Sequence, residues 1–192
     1  MAEATVSLGT RSGRRIVLTT LGSLGDLHPY IALALGLKAR GHEPTPATSE
    51  AYRRKVEPLG IGFRPIRPDD PDWAADPGLM ARLMDARTGG EVVIREYVMP
   101  NLRQMFDDAL AAVEGADLVV SLVITFATRL AAESRGIPWA SSMLQPFGSF
   151  SAHDPPVLAP GPDPLFEGQH APALVLALFS HLLGEKQPDW PS

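Results

Sequence analysis

The chain has 192 residues, a formal net charge of −5 and 45% hydrophobic residues. That is one ordinary domain or slightly more, with enough apolar side chains for a real core, and its acidic balance argues against a nucleic-acid-binding surface. There is no cysteine, which excludes disulfides and thiolate zinc sites.

Residues 1–13 hold Arg11 but no apolar core before a cleavage site, so they read as a flexible leader and not as a signal peptide. No apolar run reaches membrane-spanning length, so no integral membrane segment is expected. The cytoplasm is the expected compartment. From Ile16 to Thr20 the residues are apolar or β-branched, as in a strand buried on both faces. Gly22 and Gly25 then break the chain, Asp26 stands at a natural helix N-cap, and Pro29 is tolerated in a first turn. Leu27 to Arg40 has a helical apolar period through Ile31, Leu33, Ala34, Leu35 and Leu37, closed by Gly41. Glu43 to Thr48 reads as a second strand, weakened by Pro44 and Pro46. A short helix over Ser49–Val56 and a turn into a third strand over Leu59–Ile66 complete a β-α-β-α-β pattern. That pattern implies a parallel sheet with right-handed crossovers.

The loop Asp69–Pro77 is acidic and proline-broken, and Pro77–Arg87 is long enough for a short helix. Glu91–Val113 carries a long helical period that Pro100 should kink or split. A strand over Ala116–Ser121, a helix over Thr125–Arg135 and a strand over Ile137–Met143 extend the rhythm. Gln145–Pro172 is rich in proline and glycine, too long for a plain connector in a compact domain. Ala173–Leu183 is an apolar run that periodicity cannot assign to helix or strand. The fold class is therefore α/β, a Rossmann-like parallel sheet with helices on both faces.

The first turn presents Asp26 at the carboxyl end of the first strand, where ligands sit in open α/β sheets. Gly22-x-x-Gly25 is not the dinucleotide fingerprint, which needs three glycines and an acidic residue after the second strand, and no Gly-Lys-Ser/Thr follows to make a P-loop. The glycines are turn glycines that bring backbone close to a ligand. Asp26 has two readings at this point: a helix cap, or a general base beside a bound hydroxyl. His28 is a pocket-mouth residue or a first-turn surface histidine. The acidic loop lacks the further ligands of a metal site, and no metal is expected. Trp73 within that loop is an aromatic suited to an apolar ligand. His153-Asp154 near Ser149 and Ser151 is no triad, because no G-x-S-x-G elbow is present. His42 beside the helix C-terminus has an electrostatic explanation.

Gly22-Ser23-Leu24-Gly25-Asp26-Leu27-His28-Pro29 resembles the glycine-serine-x-glycine-aspartate-x-x-proline opening of GT-B glycosyltransferases, specifically the sterol- and antibiotic-glycosylating group whose N-terminal half is family 28. Ala32–His42 resembles that group's first helix, Leu59–Phe63 its third-strand entry, Ala116–Ser121 its fourth strand, and Ala131–Pro138 the helix after it. Leu144-Gln145-Pro146 resembles the loop after the fifth strand, and Pro188–Pro191 the approach to an interdomain linker.

The resemblance implies that residues 14–192 form the N-terminal, acceptor-binding domain of an inverting glycosyltransferase. Such an enzyme moves a hexose from a nucleotide-diphosphate sugar to a hydroxyl of a lipophilic small molecule. It implies Asp26 as catalytic base, with Gly22, Ser23, Gly25 and His28 shaping the turn and Trp73, Gln145 and Phe147 lining the acceptor cleft. The nucleotide sugar is a co-substrate held by a C-terminal donor domain absent from this chain, and no cofactor is implied here. Two departures stand out: Leu122 occupies the place where many relatives put an acidic residue, and Ala159-Pro160-Gly161-Pro162 passes straight on where they carry further helices, as though a segment near 160 were missing. The alternative is a non-catalytic module of the same fold that captures an apolar ligand or a partner protein.

Overall fold

The computed structural model describes residues 13–69, 76, 78–85, 87–144 and 175–178. Trp73, Gln145, Phe147, the His153-Asp154 pair, the run near residue 160 and the closing Pro188–Pro191 lie outside the described residues.

Among the described residues six strands form one sheet: β1 (Arg15–Thr19), β2 (Glu43–Thr48), β3 (Arg64–Pro65), β4 (Leu118–Leu122), β5 (Trp139–Met143) and β6 (Val175–Ala177). Their order is β3-β2-β1-β4-β5-β6, and every neighbouring pair is parallel. This is the doubly wound order that reverses direction between β1 and β4, the point at which a crevice opens above the strand ends. The apolar run 173–183 thus contributes a strand, at the sheet edge.

Alternation along the strands divides the core in two. Ile16 and Leu18 of β1 and Val120 and Leu122 of β4 face one way, with Leu27, Tyr30 and Ala34 of α1 (Leu24–Ala39) and with Val56. Val17 and Val119 face the other way, under Met105 and Ala109 of α5 (Met99–Ala112) and Ala127 and Ala131 of α6 (Phe126–Ser134). Helices thus cover both faces, as strands apolar on both sides require.

The two prolines of β2 sit without harm because of the side they face. Glu43 donates to the Arg14 carbonyl and Thr20 to that of Ala47, so the odd-numbered residues carry the ladder with β1. Pro44 and Pro46 face β3, but the ladder with β3 begins only at Ala47↔Arg64, beyond both prolines, and Gly62 donates to the Pro44 carbonyl. The missing N–H groups of proline therefore leave no gap in the ladder, and β3 is correspondingly only two residues long.

Helix α1 begins earlier than the sequence suggests. Its N-cap is Ser23, not Asp26, and Asp26 is the third helical residue of a capping box. Pro29 consequently falls inside the helix and not in its first turn, and it offers no N–H to the Gly25 carbonyl. At the other end Gly41, at φ +84°, completes a Schellman motif in which Gly41 donates to Lys38 O and His42 to Leu37 O. Ser49–Val56 is a short α-helix, α2 (Arg53–Val56), flanked by 3₁₀ turns at Glu50–Tyr52 and Glu57–Leu59.

The chain between β3 and β4 carries α3 (Leu79–Leu83) and then α4 (Gly89–Val92), which runs through a π-helical stretch, Val93–Val98, into α5. Pro100 is the reason for the break. It cannot donate to the carbonyl four residues back, so the ladder widens just before it. Among the described residues no helix is long and apolar enough to cross a membrane, and no group of three His, Asp or Glu is placed to hold a metal.

Candidate active site

The turn from β1 into α1 is held from three directions. Asp26 Oδ2 accepts from the Ser23 backbone N–H at 2.7 Å and from the Ser23 hydroxyl at 3.0 Å. The Ser23 hydroxyl oxygen accepts in turn from the Gly25 N–H at 3.1 Å. From α2's side, Tyr52 Oη donates to the Gly22 carbonyl at 2.9 Å.

Gly22 is the residue that makes this possible. Its φ is +124°, and a Cβ there would lie 2.5 Å from Asp26 Oδ2 and 3.0 Å from its Cγ. Only glycine leaves room for the carboxylate to fold back onto its own helix end. One carboxylate oxygen is thereby anchored. Among the described residues nothing donates to the other, Oδ1, and the side chain is half-buried beside open space.

That space is a cavity of about 480 Å³. Its floor comes from the β1 turn, with Leu21, Gly22, Ser23, Leu24 and Asp26. Ile124, from the β4–α6 turn, and Tyr52 close two sides. Its remaining wall comes from α3 and the π-helical stretch, with Met80, Leu83, Met84, Val93 and Tyr97. The cavity sits at the β1/β4 reversal, is chiefly apolar, and among the described residues holds one carboxylate, Asp26. It falls within the usual size range for a small organic ligand.

One turn beyond Asp26, Tyr30 is fully buried and its hydroxyl is bonded to Ser142 Oγ. Burial pushes its phenol well above the usual tyrosine range; the bond to Ser142 opposes this, and the Asp26 charge adds to it. Tyr30 therefore stays neutral beneath the site and ties α1 to β5.

Of the residues singled out in the sequence, Gly22, Ser23 and Asp26 meet at the cavity. Gly25 serves the cap and does not line the cavity; His28 is exposed on α1 and does not line it either. Leu122 ends β4 and is buried in the core, so no acidic side chain stands there. His42 accepts a hydrogen bond at Nδ1 from the Arg14 N–H at 3.3 Å, a structural role. The residues that sequence reading missed are Tyr52 and the wall of Met80, Leu83, Met84, Val93 and Tyr97. The methionines of that wall remain exposed, 50% for Met80 and 76% for Met84, a structural feature that the sequence does not state.

Comparison with known proteins identifies the family and the fold. The glycosyltransferase family 28 N-terminal domain matches residues 16–138. The chain is 37% identical over 133 residues to O-mycaminosyltylonolide 6-deoxyallosyltransferase of Streptomyces fradiae, covering 66% of this chain and 30% of that protein. It is 33% identical over 137 residues to a sterol 3-beta-glucosyltransferase of Gibberella zeae, covering 69% of this chain and 9% of that one. Among solved structures, the glycosyltransferase SnogD from Streptomyces nogalater superposes with a TM-score of 0.53 at 26% identity, covering 72% of this chain and 36% of that one. The chain thus spans under a third of the length of these two curated relatives.

Proposed function

Because this chain belongs to the glycosyltransferase family 28 N-terminal domains, we propose that it is the acceptor-binding half of an inverting glycosyltransferase acting on a lipophilic small molecule. The single observation that carries the proposal is the Asp26 carboxylate, held by one oxygen and open through the other into an apolar cavity. The relatives' names speak of 6-deoxyallosyl transfer to O-mycaminosyltylonolide and of 3-beta-glucosyl transfer to sterols.

In the proposed reaction an acceptor hydroxyl lies against Asp26 Oδ1. Asp26 takes its proton as the hydroxyl oxygen attacks the anomeric carbon of a nucleotide-diphosphate sugar. The new C–O bond forms on the face opposite the departing diphosphate, so the anomeric configuration inverts. The donor is held by a second domain across the crevice. The anchor on Oδ2 fixes the rotamer of the base, so that alignment is in place before the substrate arrives.

Asp26→Asn tests this in the protein joined to its donor half. The asparagine amide oxygen still accepts from the Ser23 N–H, so the cap survives while the base is gone. Transfer should fall by about 10²–10⁴-fold, with acceptor Kd within about twofold of wild type. Transfer at the wild-type rate would remove Asp26 from the mechanism.

A further inference from the structure

The peptide unit between Gly22 and Ser23 carries two of the bonds that hold the turn, one on each side. Its N–H, from Ser23, donates to Asp26 Oδ2 at 2.7 Å, and its carbonyl, from Gly22, accepts from Tyr52 Oη at 2.9 Å. A peptide unit is planar, with its C=O and N–H directed to opposite sides. Whatever holds the carbonyl therefore also aims the N–H that anchors Asp26.

The glycine itself does little to fix that plane. Gly22 has φ +124° and no Cβ to restrict rotation of the peptide that follows it. Tyr52 supplies the restraint from 30 residues away. Its own position is set by bonds that do not involve the turn. It ends the 3₁₀ turn Glu50–Tyr52, where the Ser49 hydroxyl oxygen accepts from the Ala51 N–H at 3.3 Å and Asp69 Oδ1 from the Glu50 N–H at 3.1 Å. The Tyr52 side chain packs against the core that Leu18, Leu27 and Val56 share. Ring and hydroxyl thus have separable tasks: the ring docks this segment, and the hydroxyl reaches the Gly22 carbonyl.

We propose that Tyr52 is a positioning residue for transfer: its hydroxyl sets the Gly22–Ser23 peptide plane, and that plane sets the Asp26 carboxylate. This rests on the reading of Asp26 as the base. Tyr52 acts through the turn and not on the reacting atoms. With its hydroxyl gone the plane gains freedom to rotate, the carboxylate loses part of its anchor, and an acceptor hydroxyl meets the base out of line.

Tyr52→Phe tests this, because it keeps the ring in the core and on the cavity wall. In the 192-residue chain, amide exchange followed by NMR should show the Ser23 N–H exchanging at least about tenfold faster in the variant, with the amides of the β1–β4 ladder unchanged. In the protein joined to its donor half, kcat should fall by about five- to thirtyfold with acceptor KM within about twofold of wild type. Added to Asp26→Asn, the same substitution should cost no more than about a further twofold, since no base is left to position. Wild-type kcat in Tyr52→Phe, an unchanged Ser23 amide, or a loss that repeats in full in the Asp26→Asn background would overturn this inference and leave Asp26 as the base. Wild-type transfer by Asp26→Asn alone would overturn the base reading and this inference with it.

Discussion

At the scale of single residues the account turns on how one carboxylate is divided between two tasks. Asp26 Oδ2 caps the helix and the residue also lines the cavity, so the cap reading open from sequence is met while the base reading is the one proposed above. Gly22 is the residue that permits it. Gly22→Ala would bring a methyl group within 2.5 Å of Oδ2 in a backbone conformation that alanine avoids. The carboxylate must then move or the turn must open. We expect a loss of stability of about 1–3 kcal/mol and a fall in transfer larger than that loss explains. Thermal melts and turnover measured on the same preparation check both. Ser23, Gly22 and Asp26 were legible in the sequence because the bonds among them are local; the long-range hold from Tyr52 was not. The cap itself was misassigned there because Ser23 and Asp26 are both good cap residues, and the reciprocal pair Ser23-x-x-Asp26 is what decides between them.

At the scale of elements, the cavity is a meeting of segments far apart in the chain. The β1 turn supplies the acid, and α3 with the π-helical stretch supplies the greasy wall. That wall was not legible from sequence. Nothing in one sequence states which turn of which crossover will lie over the strand ends, and the π-helical widening before Pro100 shifts the faces that a regular helical period would predict. Met80 and Met84 are largely exposed, so they add little to folding and are available to an apolar ligand. Replacing both by glutamine keeps their shape and removes their apolarity. We expect aglycone affinity to weaken by about three- to tenfold with the melting temperature unchanged within about a degree. Titration calorimetry beside a thermal melt separates the two effects.

At the scale of the whole molecule, a parallel sheet with helices on both faces was legible from the βαβ rhythm, whereas the order β3-β2-β1-β4-β5-β6 and the strand in the run 173–183 needed the structure. The prolines of β2 were the apparent obstacle, and they are accommodated because they face β3 before its ladder begins. The β3–α5 side of the fold is closed by Arg67 and Asp108. The Arg67 guanidinium and backbone N–H hold the Asp108 carboxyl below the usual carboxylate range, against a smaller opposing effect of partial burial. A carboxyl whose folded pKa is depressed contributes stability above its unfolded pKa and loses it as pH falls through the folded value. Asp108→Asn should therefore lower the melting temperature at pH 7. The gap to wild type should hold down to about pH 5 and close below about pH 4. Melting curves across that range check the sign.

The fold places an apolar crevice at the sheet's reversal point, and Asp26 is the carboxylate that lines it among the described residues. The most direct measurement is a crystal structure of the chain with a hydroxyl-bearing aglycone bound. The account predicts an aglycone hydroxyl oxygen about 2.6–3.2 Å from Asp26 Oδ1, with the ring system against Met80, Met84 and Tyr97. An aglycone seated elsewhere, or seated there with Oδ1 turned onto backbone amides and no hydroxyl near it, would contradict it.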